Sequence, residues 1–161
     1  MEIRLANAED FDGIWPIFHE IVSAGETYTY PPKTNRAEAY HLWMEKPKAT
    51  FVAVEEGLIM GTYYITPNKI GLGDHVCNCG YMVGSAFRGR GIAATMCEHS
   101  QQIAVEMGFL AMQYNSVVVT NVGAVRLWQK LGFEIIGTMT KSFRHAKHGL
   151  TDAHIMYKWL Q

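Results

Sequence analysis

Met82-Val83-Gly84-Ser85-Ala86-Phe87-Arg88-Gly89-Arg90-Gly91-Ile92-Ala93 carries an apolar strand through a small-residue loop into an amphipathic helix. Glycines at 84, 89 and 91 let the backbone turn through positive φ and approach a ligand closely, while the free N–H groups of the helix start point outward. Those donors and the positive end of the helix dipole favour a phosphate. Arg88 and Arg90 add charge of the right sign, because a guanidinium grips phosphate oxygens as a bidentate fork.

Ordinary strand-to-helix connections also use glycine, so the spelling has to discriminate. A P-loop ends in Gly-Lys-Ser/Thr, whereas Gly91 is followed by Ile92 and Ala93. A dinucleotide fingerprint belongs near the first strand of a βαβ unit with an acidic residue about 20 positions on, and this loop lies in the middle of the chain. The pattern that fits is Arg-x-x-Gly-x-Ala, supplied by Arg88, Gly91 and Ala93. Together with Asn121-Val122-Gly123-Ala124-Val125-Arg126-Leu127-Trp128-Gln129-Lys130-Leu131-Gly132-Phe133, it closely resembles the two central motifs of the GCN5-related N-acetyltransferases (GNAT). Order, spacing and the intervening strand agree over residues 76–139, and more loosely elsewhere.

The chain of 161 residues, 48% of them hydrophobic, suits one domain, read here as residues 1–161. A formal net charge of −1 gives no electrostatic reason to expect a nucleic-acid or membrane partner, and a small molecule is the expected one. The opening Met1-Glu2-Ile3-Arg4-Leu5 lacks a long apolar run, and no segment nears the ~20 apolar residues needed to span a bilayer, so a cytoplasmic location is expected. Three cysteines make a disulfide framework a poor fit. Cys77 and Cys79 share a strand face, but no second Cys/His pair stands at zinc-ligand spacing, and no metal is expected. His145 and His148 read as members of a solvated loop.

Periodicity organises the rest. Residues 3–5 read as a strand, then Asn7 or Asp12 caps a helix carrying Phe11, Ile14, Phe18 and Ile21, in which Pro16 sits in the first turn or makes a kink. The loop 23–34 holds Glu26, Tyr28 and Tyr30, which could wall a pocket or simply connect helices. A helix over 35–44 precedes two strands, 51–54 and 59–65, joined by Glu55-Glu56-Gly57 as a hairpin. Strand 76–83 delivers the chain to the anion loop, and the helix from Gly91 to Met107 buries Ile92, Met96, Ile103 and Met107. A strand over 110–115, a helix capped by Asn121, a strand over 134–139, a polar loop over 141–152 and a strand over 154–160 complete about seven strands and four helices. This pattern is α/β. The resemblance adds the topology: a mixed, mostly antiparallel sheet splayed between strands four and five.

The resemblance implies an enzyme, an acetyl-CoA-dependent N-acetyltransferase that passes an acetyl group directly to an amine. Met82, Val83, Arg88, Gly89, Arg90, Gly91, Ile92 and Ala93 would then hold the cosubstrate, with Asn121, Ala124 and Trp128 on the following helix. A backbone N–H near Val83 would polarise the thioester carbonyl. Two departures from the family pattern matter. Asn78 stands where relatives often carry a glutamate base, and an amide cannot take a proton, so Asn78 would orient the amine or a relay water, with Asn115 also positioning the amine, while another group or solvent accepts the proton. Glu26 is the candidate distant base, and a buried amide paired to backbone is the other reading of Asn78. Trp128 stands where a tyrosine commonly protonates the departing thiolate; an indole can donate a hydrogen bond but no proton. Asn78, Asn115 and Asn121 are similar to those of a subgroup that includes fungal enzymes acting on azetidine-2-carboxylate and proline analogues. That likeness implies a small amine acceptor, an amino acid or analogue among the candidates, positioned by the asparagines. A carboxylate on it would want a cation, for which Arg144 is one candidate, and Tyr28 and Tyr30 of the 23–34 loop are the other expected substrate contacts. The resemblance also admits a homodimer. Acetylation of a protein or peptide amine, or coenzyme A sensing without catalysis, are the alternatives.

Overall fold

The computed structural model describes residues 1–161. Its elements run β1 (Glu2–Leu5), α1 (Phe11–Ala24), α2 (Arg36–Tyr40), β2 (Ala49–Glu55), β3 (Leu58–Pro67), β4 (Val76–Val83), α3 (Ile92–Glu106), β5 (Ala111–Val118), α4 (Val122–Lys130), β6 (Glu134–His145) and β7 (Gly149–Trp159). All seven strands form one sheet in the order β1-β2-β3-β4-β5-β7-β6. Neighbours pair antiparallel except β4 and β5, which are parallel and paired only at Val76–Ala111 and Cys77–Met112. The expected α/β sheet, splayed between its fourth and fifth strands, is the one observed.

Side-chain alternation along β4 divides the interior in two. Cys77, Cys79, Tyr81 and Val83 face a core shared with Met96 and Cys97 of α3 and Trp128 of α4. Met82 faces the opposite core, where Phe18 of α1 and Trp43 beyond α2 are buried. Asn78 and Gly80 share the face of Met82.

Local chemistry fixes the α1–α2 side. Asn7 and Asp10 form a reciprocal capping box before α1, and Arg4 grips the Asp10 carboxylate through two bonds of 2.7 and 2.8 Å. Asp12 is not the cap; it pairs with Arg36. Pro16 lies inside α1 rather than in its first turn. Asn35 and Glu38 cap α2, but α-geometry stops at Tyr40 and residues His41–Glu45 widen into a π-turn. The turn buries Trp43, whose indole N–H donates to Thr62 Oγ1 at 3.0 Å.

The expected loop 141–152 is instead largely a hairpin of β6 and β7. Its polar residues alternate on exposed faces, and a bulge between Met139 and Phe143 absorbs Lys141, whose φ is 52° and whose N–H donates to Asp152 Oδ1 at 2.8 Å. His145 is buried rather than solvated, with Nδ1 accepting the N–H groups of Lys147 and His148 at 3.1 and 3.2 Å. No helix is long and apolar enough to cross a membrane, and no cluster of acidic, histidine or cysteine side chains is arranged to hold a metal.

Gly80 marks where β3 and β4 are most crowded: a Cβ there would lie 2.6 Å from Tyr64 Cε1 and 3.2 Å from the Tyr28 hydroxyl. Gly80→Ala is expected to destabilise the protein by about 1–3 kcal/mol, read as a lower thermal unfolding midpoint. An unchanged midpoint would contradict this close approach.

Candidate active site at the strand fork

Beyond Cys77 and Met112, β4 and β5 diverge, and the backbone groups that would have paired there need other partners. Two side chains supply them. Asn78 Nδ2 donates to the Gln113 carbonyl of β5 at 2.9 Å, and the Tyr28 hydroxyl donates to the Tyr81 carbonyl of β4 at 2.6 Å. On the other side of β4, Asn68 N–H donates to the Val76 carbonyl and Gly84 N–H to the Met60 carbonyl. The alternation therefore turns the N–H groups of Cys79, Tyr81 and Val83 toward the fork.

A cleft of about 840 Å³ runs through this opening. At one end stands the start of α3, which has no side-chain cap, so the N–H groups of its first turn are unclaimed. Gly89 and Gly91 adopt φ of 76° and 75°, and a Cβ on either would point into open space, which leaves the backbone bare for a ligand. Arg88, Gly89 and Ala93 line this end, with Val83 beside them. Asn121 gives α4 no side-chain cap, contrary to expectation, and it lines the cleft with Ala124 and Trp128.

Several expected contacts lie elsewhere. The Arg90 guanidinium turns away to Glu55 at 2.5 Å and the Met60 sulfur at 3.4 Å. Met82 is buried in the α1 core, because the pleat that points Tyr81 and Val83 one way points Met82 the other. Ile92 packs its side chain into the α3 core, so only the backbone of Gly91 and Ile92 belongs to the helix start. Arg144 is exposed on β6 opposite Leu150, outside the cleft, because the hairpin extends where a loop was expected to fold back.

The other end of the cleft is walled by Glu26, Tyr28 and Tyr30, with Asn78 and Asn115 across from them. The rings of Tyr28 and Tyr30 stack 5.8 Å apart. The Glu26 loop is tied to the β6–β7 hairpin by Ala146 N–H donating to the Gly25 carbonyl at 2.9 Å and by a Lys147–Glu26 ion pair at 2.7 Å. Lys147 holds the Glu26 carboxyl below the usual carboxylate range, which weakens it as a proton acceptor. Asn115 is engaged by its neighbours, donating to Asn68 Oδ1 at 2.7 Å and accepting from Gln113 Nε2 at 3.0 Å. Glu26 and Arg88 are the only formally charged side chains lining the cleft.

Aromatic residues not expected from the sequence complete the walls. Tyr64 donates to Asn78 Oδ1 at 2.9 Å. Tyr81 and Tyr114 flank Trp128, ring centroids 5.1 and 5.3 Å away, and their hydroxyls meet at 2.9 Å. Burial raises the pKa of all these phenols and of the Cys79 thiol, so they remain protonated hydrogen-bonding groups. Burial likewise pushes Tyr30 up to about 12. The sequence carried one signal for Tyr64: a glycine within a strand, Gly80, indicates close approach by a large neighbour.

A family model described as the acetyltransferase (GNAT) family matches residues 15–133. The Schizosaccharomyces pombe N-acetyltransferase aca1 is 28% identical over 151 residues, covering 83% of this chain and 72% of its own. A GCN5-related N-acetyltransferase structure from Kribbella flavida superposes with a TM-score of 0.93 at 42% identity, over 98% of this chain and 96% of that one. A Sinorhizobium meliloti phosphinothricin acetyltransferase solved in complex with AcCoA shares the fold with a TM-score of 0.83 at 23% identity, over 98% of this chain and 87% of its own.

If Lys147 is what depresses the Glu26 carboxyl, Lys147→Met returns that group to the ordinary carboxylate range in a 13C NMR titration. A Glu26 titration unmoved by the substitution would separate the two residues.

Proposed function

This chain belongs to the acetyltransferase (GNAT) family and is an N-acetyltransferase, and from that premise we propose that acetyl-CoA is its acyl donor and a small amine its acceptor. The observation that carries the donor is the set of unclaimed N–H groups at two neighbouring places. Those of the α3 start, with Arg88 and the bare backbone of Gly89 and Gly91, fit a diphosphate. Those of Cys79, Tyr81 and Val83 along the splayed edge of β4 fit an extended, amide-bearing arm. Asn121, Ala124 and Trp128 form the facing wall.

Acetyl-CoA supplies an acyl group activated as a thioester. The chain's part is to hold and orient. Val83 N–H would donate to the acyl oxygen as negative charge develops on it, and a preorganised donor of this kind contributes about 2.7–4 kcal/mol to the transition state. Asn78 orients the amine, with Asn115 and its partners shaping the same wall. Bringing amine and acyl carbon together in one cleft supplies much of the remaining rate. No cleft side chain is a strong acceptor for the amine proton near neutral pH: pairing with Lys147 lowers the Glu26 pKa and so weakens that carboxylate as a base, the phenols and the Cys79 thiol keep their protons, and no imidazole lines the cleft. The amine therefore enters as its free base and loses its proton to water after attack. Trp128 would pack beside the donor and, as an indole, has no proton to give; a thiol of ordinary pKa, about 8.5, would need no protein acid to depart as thiolate.

The charges favour an amine without an adjacent carboxylate. No unpaired cation lines the acceptor end: Lys147 is committed to Glu26, and Arg144, the expected partner for a substrate carboxylate, is outside the cleft.

Free-thiol release from acetyl-CoA, followed with amino acids each paired with its decarboxylated amine, with polyamines and with short peptides, tests the reading. Amine-dependent release, faster with the decarboxylated partner, is expected, and Arg88→Ala should raise the acetyl-CoA KM by about tenfold while kcat holds. Tight coenzyme A binding with no release to any amine would instead support a sensor.

The pH dependence separates a protein base from free-base entry. At saturating acetyl-CoA, log kcat/KM for the amine should rise with unit slope to the pKa of that amine, and the break should move when an amine of different pKa is used. A break that stays put would reveal a protein base.

A further inference from the structure

Asn78 is the pin of the fork. The Gln113 carbonyl can only accept, so the end of the Asn78 amide facing it must be the NH2, and Oδ1 is thereby directed to the Tyr64 hydroxyl at 2.9 Å. These two bonds use one N–H and one lone pair of the amide, leaving one of each for a ligand in the cleft that Asn78 lines. Tyr64 is itself held by packing. Trp43 stands edge-on against its ring with centroids 4.9 Å apart, and the ring lies so close over Gly80 that no Cβ fits there. The phenol is half-buried, and burial keeps it protonated, hence always able to donate.

We propose that Tyr64 is a positioning residue for acetyl transfer, its hydroxyl locking the Asn78 amide so that the remaining Oδ1 lone pair receives an N–H of the acceptor amine. This rests on the acetyltransferase reading of the cleft. The lock does two things at once. It fixes rotation of the amide about its own axis, which the Gln113 bond alone leaves free to tilt, and it binds β3 through Asn78 to β5 where the β4–β5 ladder ends. The nitrogen of a bound amine is thus held by an atom whose place is set from both sides of the fork, and misplacement of reacting groups by about 1 Å costs on the order of a hundredfold in rate.

Tyr64→Phe removes the hydroxyl and keeps the ring. The expected result is a folded protein whose thermal midpoint falls by no more than a few degrees and whose acetyl-CoA dissociation constant stays within about twofold of the parent, while kcat/KM for the best amine of the panel falls between about tenfold and a hundredfold. The side-chain amide pair of Asn78 in the 1H–15N spectrum, assigned by its loss in Asn78→Ala, should shift and broaden. The double variant should be no slower than Asn78→Ala alone, since both act through one group. Tyr63→Phe, which deletes a buried phenol bonded to His99 on the opposite face, should leave the Asn78 resonances in place. Wild-type kcat/KM in Tyr64→Phe, or a lowered midpoint with the Asn78 amide pair unmoved, would overturn the proposal and leave the acetyltransferase reading intact. Failure of the parent protein to acetylate any amine would remove both.

Discussion

The architecture depends on a broken β-ladder. A parallel pair that stops after two residue pairs leaves N–H and C=O groups facing each other across a widening gap inside the protein, where an unpartnered backbone group costs about 1–3 kcal/mol. The sheet stays open because carbonyls on both sides are capped by side chains, Gln113 by Asn78 and Tyr81 by Tyr28. The N–H groups of Cys79, Tyr81 and Val83 are not capped that way. A ligand able to accept from them completes the strand edge, and the neighbouring uncapped start of α3 extends the same donor surface by one helical turn.

This division explains why the two faces of β4 differ in composition. The α3 face is filled by thiols and phenols whose hydroxyls bond one another: Tyr81 with Ser100 at 2.7 Å, and Tyr114 with Cys97 at 3.3 Å. Such a network gives a rigid, polar-lined wall without charge. The α1 face is walled by Tyr28, Tyr30 and Tyr64, and it ends at the strap formed by Glu26 and the β6–β7 hairpin. Only the ends of the cleft carry charge, Arg88 at one and Glu26 at the other.

The fold was legible because its signals are local. The glycine-rich turn before α3, the apolar periodicity of that helix and the asparagine before α4 each lie within a dozen residues, and together they carry the resemblance that places the splay. Cleft residues next to those signals, such as Arg88, Gly89, Ala93 and Trp128, were legible with them. What sequence could not resolve was direction and distance along the chain. Met82 sits one residue from Val83, and the pleat alone decides that it faces the other core. Arg90 is drawn off by Glu55, which lies 35 positions earlier. The Tyr64–Asn78 bond crosses two strands, the Asn78–Gln113 bond joins a gap that exists only because pairing fails, and the hairpin over β6 and β7 pairs polar residues that read as a loop.

The open edge of β4 and the start of α3 would act as one donor surface for acetyl-CoA. Amide hydrogen exchange and 1H–15N shifts, recorded with and without coenzyme A, test it most directly. The amides of Cys79, Tyr81 and Val83 and those of Gly89–Ala93 are expected to shift and slow together on binding. The contrary result is a response confined to the separate cleft beside the start of α1, around Gly13, Ile17 and Ser85–Phe87, with the β4 edge unchanged.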